Sequence, residues 1–198
     1  MSATRPFRLG LTGSIGMGKS TTAALFREQG VPVWDADAAV HRLYASGGAA
    51  VAPLAALCPA ALKDDGIDRA ALKDWIAADS TALSKIEAVV HPLVSADRDG
   101  FAAMATAPLI VFDIPLLFEK GTEAMMDATL LVTAPPALQR ARVLARPGMT
   151  EAQFATILAR QMPDRDKRAR ADHILETLSP DSARAAVHAL IAYLVPHA

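Results

Sequence analysis

Eight residues, Gly13-Ser14-Ile15-Gly16-Met17-Gly18-Lys19-Ser20, constrain this chain more than any others. They fit G-x-x-x-x-G-K-[ST], the spacing of a phosphate-binding loop. Such a loop works only between a strand and a helix, and both flank it here. Phe7-Arg8-Leu9-Gly10-Leu11 predicts a short buried strand; residues 21–29, with Ala23, Leu25 and Phe26 as packing positions, predict a helix. The glycines let successive backbone N–H groups curl around phosphate oxygens without Cβ clashes. The helix N-terminus adds a partial positive charge aimed at the same place. In that geometry Lys19 reaches the β- and γ-phosphates of a nucleotide and the Ser20 hydroxyl ligates Mg²⁺. A Gly-rich turn that merely caps a helix would need neither the lysine nor the hydroxyl.

The remainder alternates strand and helix. Residues 31–34 predict a second strand ending at Asp35-Ala36-Asp37, and residues 36–44 a helix. Carboxylates at the C-terminal end of a strand in an open α/β sheet sit where ligands bind. Asp35 alone reads as a helix N-cap; beside a phosphate-binding loop it becomes the candidate catalytic carboxylate. Asp37 is its rival, and its own alternative role is the cap. From residue 49 to 104 only helical patches are visible, at 49–57, 69–77 and from Ser80 through residue 101, where Pro92 predicts a kink or a restart after His91. Residues 108–113 and 127–133 are near-continuous apolar runs typical of central parallel strands. Asp113 and Glu119 are placed to face the crevice, Glu119 reading equally as a solvated loop charge. Pro135-Pro136 starts a helix with Gln139, Arg140 and Arg142; residues 150–162 predict another. Arg165, Lys167, Arg168 and Arg170 crowd a short one. Residues 172–175 are the last strand, and Ser179-Pro180-Asp181 caps a final helix to about residue 194.

This order predicts an α/β fold, a doubly wound parallel five-stranded sheet with a helical insertion and a helical lid. With 198 residues it reads as one domain: a core of 1–45, 105–145 and 171–198, an acceptor-binding insertion at 46–104, and a lid at 146–170. A net charge of −1 gives no drive toward nucleic acid, and the Arg165–Arg170 cluster lacks interleaved aromatics. The single Cys58 forms no internal disulfide, which suits a reducing cytoplasm. No apolar run spans a bilayer, and residues 1–6 show no signal peptide. The expectation is a cytoplasmic protein without membrane or nucleic-acid partners, a monomer or weak homo-oligomer.

A phosphate loop with a basic lid fits phosphoryl transfer to a small molecule, which needs an aligner for the acceptor hydroxyl, cations for the transferring group and exclusion of water. Arginine suits the second task, since its rigid fork matches phosphate oxygens. The set T-G-S-I-G-M-G-K-S-T, V-W-D-A-D, H-P-L at His91 to Leu93, D-I-P-L-L-F-E, and R-A-R-A-D-H-I-L from Arg168 to Leu175 resembles the dephospho-CoA kinase family across most of the chain. The resemblance implies a P-loop fold like that of nucleoside monophosphate kinases, with ATP and dephospho-CoA as substrates and Mg²⁺ with the nucleotide. It assigns Gly13, Ser14, Ile15, Gly16, Met17, Gly18, Lys19, Ser20, Thr21 and Arg146 to ATP, Asp35 to the acceptor hydroxyl, and Lys19 and Arg140 to the transferring phosphoryl group. His91, Pro115, Leu116 and Leu117 would line the acceptor side. The family often carries Asn-x-Gly after the last strand, where this chain has Glu176-Thr177-Leu178-Ser179. Another small kinase, acting on a nucleoside monophosphate or sugar acid, would explain the loop and lid but not D-A-D with P-L-L-F-E. A guanine-nucleotide switch would need N/T-K-x-D, which is absent from the sequence.

Overall fold

Strand β1 (Phe7–Thr12) is the central strand of the sheet, and its composition explains why. Leu9 and Leu11 are fully buried, and the strand pairs in parallel with β5 (Leu109–Asp113) on one side and β6 (Ala128–Thr133) on the other. β7 (His173–Glu176) adds in parallel to β6. With β2 (Val33–Asp35) the order is β2-β5-β1-β6-β7, the five-stranded parallel sheet expected. Every residue of β5 and β6 is buried, as a strand covered on both faces requires. This computed structural model describes residues 5–195; residues 1–4, and with them most of the stretch bearing on a signal peptide, lie outside the described residues, as do 196–198.

Two compact units divide the chain, residues 1–34 with 105–198, and residues 35–104. In the first, helix α1 (Lys19–Glu28) lays Ala23, Leu25 and Phe26 into the core with Leu9, Leu11, Val111 and Val132. Burying each such large apolar side chain stabilises by about 1.5–3 kcal/mol. The last helix, α9 (Pro180–Leu194), adds Ala183, Val187 and Leu194 to the same core. Its start is the expected one: Ser179 and Ser182 form a reciprocal capping box with Pro180 at the first turn. Between β6 and β7 lie α6 (Pro136–Leu144), α7 (Glu151–Ala159) and α8 (Asp164–Arg170).

The second unit carries α2 (Ala36–Tyr44), α3 (Val51–Leu57), α4 (Arg69–Ala78) and α5 (Ala82–Met104) around Leu43, Leu54, Leu72, Ile86 and Val90. This compact unit includes α2 because α2 packs on α5: Leu43 joins its core and Arg42 pairs with Asp97 at 2.6 Å.

Three local expectations are corrected. The second strand is Val33–Asp35, not 31–34, because Val31 belongs to the end of α1: its N–H bonds Phe26 O, and Gly30 N–H bonds Arg27 O with Gly30 at φ 76°. That is a Schellman closure, which consumes the residue after the glycine. Residues 49–104 contain a hairpin where only helix was expected: β3 (Leu62–Lys63) pairs antiparallel with β4 (Gly66–Ile67). Asp64 and Asp65 take φ of 50° and 58° in the turn, the conformation of a two-residue hairpin loop that aspartate tolerates. Finally, of the kink or restart expected at Pro92, the restart does not occur: α5 runs through Pro92 as one helix, forgoing one helical N–H. Asp79, not Ser80, organises its start by accepting from both the N–H and the hydroxyl of Thr81. Those two bonds, the hydroxyl's first, hold the Asp79 carboxyl down to about 2.

Candidate active site

β1 ends at Thr12 and α1 begins at Lys19, so residues 13–18 form the turn between them. Gly16 and Gly18 take φ of 76° and 93°, a region other L residues rarely enter. Gly18 is the N-cap of α1 and supplies no side-chain acceptor. The first N–H groups of the helix are therefore left by the cap for a ligand, with the helix dipole behind them. Gly13 sits where a Cβ would lie 2.7 Å from Val132 O.

The loop is held from beneath by residues the motif does not include. Ile15 is clamped through both of its backbone polar groups: its N–H donates to Gln161 Oε1 at 3.1 Å and its carbonyl accepts from Gln139 Nε2 at 2.8 Å. Met17 is buried, with Sδ 3.0 Å from Ala134 N. The Met17 carbonyl accepts from the Thr177 hydroxyl at 2.8 Å, and Arg142 forks onto Thr177 at 2.8 and 2.7 Å. Thr177 lies in the segment that departs from the family pattern. Gln139, Gln161, Arg142 and Thr177 escaped sequence reasoning as site residues because their signal is spatial.

Lys19 is ion-paired with Asp113, which closes β5 opposite Leu11 and is 2% exposed. Of the two carboxylates expected at the crevice, Asp113 is thus joined to the phosphate loop. Ser20 and Thr21 are exposed on the first turn of α1. The loop after β5 is tied to the same strand end: the Thr12 hydroxyl donates to Pro115 O at 3.1 Å and Ile114 N–H to Leu11 O at 2.9 Å. There Pro115 is half-buried, Leu116 partly exposed and Leu117 fully buried. Glu119 is not the solvated loop charge that is one of its two expected readings. It lies 2.9 Å from the wholly buried Lys167 ammonium and accepts the Met162 N–H.

Asp35 closes β2 and caps α2, its Oδ1 accepting from Ala38 N at 2.9 Å. Among the described residues Oδ2 carries no hydrogen bond. Asp37 is exposed in the first turn of α2 and does not cap it, a correction to its expected alternative role. His91 is exposed on α5, 3.7 Å from Glu87 one turn back. Arg140 is exposed and paired with Glu151 of α7; Arg146 is exposed on the segment leaving α6. Arg168 pairs with Asp164 at 2.6 Å on the same helix, and Arg170 with the more distant Glu123.

Among the described residues no three His, Cys, Asp or Glu gather as a metal cage. The Ser20 hydroxyl at the start of α1 and the Asp113 carboxylate at the end of the neighbouring strand β5 are hard oxygen donors, which fit an ion bound mainly through phosphates.

The family model described as dephospho-CoA kinase matches residues 7–180. The chain belongs to the dephospho-CoA kinase family. A Cereibacter sphaeroides protein named dephospho-CoA kinase is 74% identical over 190 residues, covering 96% of each chain. A crystal structure from Thermus thermophilus superposes with a TM-score of 0.84 at 38% identity, covering 96% of this chain and 99% of that one. A dephospho-CoA kinase from Campylobacter jejuni, 20% identical, shares the fold with a TM-score of 0.65 over 94% of this chain and 96% of that one. The protein is therefore a kinase of this family, an enzyme with a nucleotide substrate. No helix among its described residues is long and apolar enough to cross a membrane.

Proposed function

We propose that the enzyme transfers the γ-phosphoryl group of ATP to the ribose 3′-hydroxyl of dephospho-CoA, giving coenzyme A and ADP. The observation that carries this is the start of α1, left open by its glycine cap in a chain of the dephospho-CoA kinase family. The acceptor oxygen bonds to the γ-phosphorus, the bond from phosphorus to the β,γ-bridging oxygen breaks, and the hydroxyl proton leaves to a carboxylate.

Each residue has a role in that reading. The backbone from Gly13 to Thr21 receives the phosphates, and Lys19, released from Asp113, places its ammonium on the β- and γ-oxygens. Arg140 and Arg146 meet charge on the transferring group, which requires Arg140 to leave Glu151. Asp35 takes or orients the acceptor proton through the oxygen its cap bond leaves unused. His91, Pro115, Leu116 and Leu117 line the acceptor side. The Ser20 hydroxyl and the Asp113 carboxylate are the donors that would hold Mg²⁺, which neutralises phosphate charge when bound. We assign acceptor binding to residues 46–104 and closure over the phosphates to residues 146–170, in a cytoplasmic enzyme that is a monomer or weak homo-oligomer.

ADP release by purified protein, measured with dephospho-CoA, AMP, shikimate and gluconate, tests the reading. Turnover with dephospho-CoA alone, abolished by a chelator and restored by Mg²⁺, is expected. Phosphorylation of one of the other acceptors without dephospho-CoA would overturn it.

A further inference from the structure

Glu119 and Lys167 form a charge pair that phosphoryl transfer does not use as chemistry. Lys167, on α8, is 0% exposed, and its ammonium lies 2.9 Å from Glu119 Oε1. The same oxygen accepts the Met162 N–H at 2.9 Å. The other carboxylate oxygen is buried without a hydrogen bond among the described residues. Burial pushes the Glu119 carboxyl up, but the Lys167 ammonium and the Met162 N–H outweigh it and hold the group below its ordinary value. Two well-packed apolar residues would be as stable as such a pair, or more so. Stability therefore does not account for it, and what the pair specifies is the separation of two segments.

One segment is the loop 114–121, which leaves β5 directly after Asp113 and carries Pro115 to Leu117. The other is 161–170. Its first residue, Gln161, takes the Ile15 N–H of the phosphate loop. Its last, Arg170, lies 5.2 Å over the Phe118 ring, donates to Phe118 O at 3.3 Å and pairs with Glu123. Between them Asp164 accepts from the Thr133 hydroxyl at 2.9 Å. The stretch 161–170 is thus bonded to the phosphate loop at Gln161, to the end of β6 at Asp164, and to the loop after β5 at Met162, Lys167 and Arg170.

We propose that Glu119 and Lys167 are positioning residues: through Met162 and Gln161 they hold the loop 114–121 in register with the phosphate loop. Residues 161–170 are then the fixed base of the segment 146–170, and closure over the phosphates falls to its part before Gln161. The inference rests on the kinase reading, in which Pro115 to Leu117 line the acceptor.

Glu119→Gln keeps the shape and removes the charge. It should raise KM for dephospho-CoA and lower kcat/KM by up to about 10²-fold, the scale a displacement near 1 Å can cost. ATP affinity should stay near wild type, since neither bond to Ile15 involves Glu119. The double variant Glu119→Leu/Lys167→Met leaves no orphaned charge. Its Tm should match or exceed wild type while KM for the acceptor stays raised and hydrogen exchange at the Met162 amide stays fast. If Tm, acceptor KM and Met162 protection all match wild type in the double variant, the pair is only structural and the proposal fails. A wild-type enzyme inactive on dephospho-CoA would instead refute the acceptor assignment; Met162 exchange, which needs no turnover, would still decide on the fixed base. Glu119→Gln that does not fold leaves the decision to the double variant.

Discussion

The phosphate loop and the arginine-rich stretch 140–170 both read from the sequence as phosphate sites, and the structure treats them differently. The loop is built from backbone: its N–H groups and left-handed glycines are contiguous in sequence, and its shape is set within residues 13–18. The arginine stretch is built from side chains, and most of its cations already have carboxylate partners: Arg140 with Glu151, Arg165 with Asp166, Arg168 with Asp164, Arg170 with Glu123 and Lys167 with Glu119. A backbone site is specified by local conformational preference, whereas a cation's role depends on which acid lies nearest, and that acid can be far away in sequence. A run of positive charge therefore predicts composition better than it predicts function.

The largest expected effect lies on the loop side. Lys19→Ala should cost about 10³–10⁵ in kcat, the scale on which cations act on a transferring phosphoryl group, with circular dichroism unchanged. It also leaves Asp113 buried without its cation, so Lys19→Ala/Asp113→Asn should restore any lost Tm without restoring turnover. Wild-type rates in Lys19→Ala would break the comparison at its stronger end.

Asp35 is next, because it does backbone and side-chain work at once. Asp35→Asn keeps an excellent N-cap and deletes the proton acceptor. It should hold Tm and ATP affinity while kcat falls about 10²–10⁴-fold. Asp35→Ala should lose the cap as well, about 1 kcal/mol of stability by chemical denaturation. Asp37→Asn, at a position that caps nothing, should change neither. Normal turnover in Asp35→Asn with a dead Asp37→Asn would move the catalytic role to Asp37.

Arg140 tests the other side. Arg140→Ala should lower kcat by about 10²–10³ and barely move Tm, because an exposed pair contributes little. Glu151→Gln, which frees the guanidinium, should not lower kcat. If Arg140→Ala turns over normally, Arg140 is a surface partner of α7 and Arg146 becomes the cation to examine.

The smallest effect is a pH dependence. Glu119 is held below its ordinary value of 4.5, so its contribution to stability is complete above that value and is lost as pH falls through the lowered one. Thermal melts of the wild type should lose Tm across that acid window more steeply than those of Glu119→Leu/Lys167→Met. Parallel curves would show that the pair does not couple protonation to folding.

Periodicity and turn chemistry made much of this fold legible. β1, the loop, α1, the buried strands β5 and β6 and the Ser179-Pro180 start of α9 all follow from short-range pattern. The misses have physical causes. Val31 is strand-like by propensity, but a helix-closing glycine precedes it and claims its N–H. Asp64-Asp65-Gly66 is a hairpin turn signal between runs too short to show alternation. Pro92 costs α5 one bond, which the packing of Ile86, Val90 and their neighbours outweighs.

The site divides along the same line. Residues 13–20 determine by themselves the turn and the open helix start, because the glycines that allow the turn and the helix that follows it are adjacent in the chain. That Lys19 rests on Asp113, that Gln139 and Gln161 clamp Ile15 of the loop, and that Lys167 is buried against Glu119 were decided by tertiary structure alone. The first three contacts join residues 94 to 146 positions apart, and Lys167 lies 48 positions beyond Glu119. Hydrogen bonds and ion pairs reach only a few ångströms, so a partner that distant exists only once the sheet has brought its strand ends together.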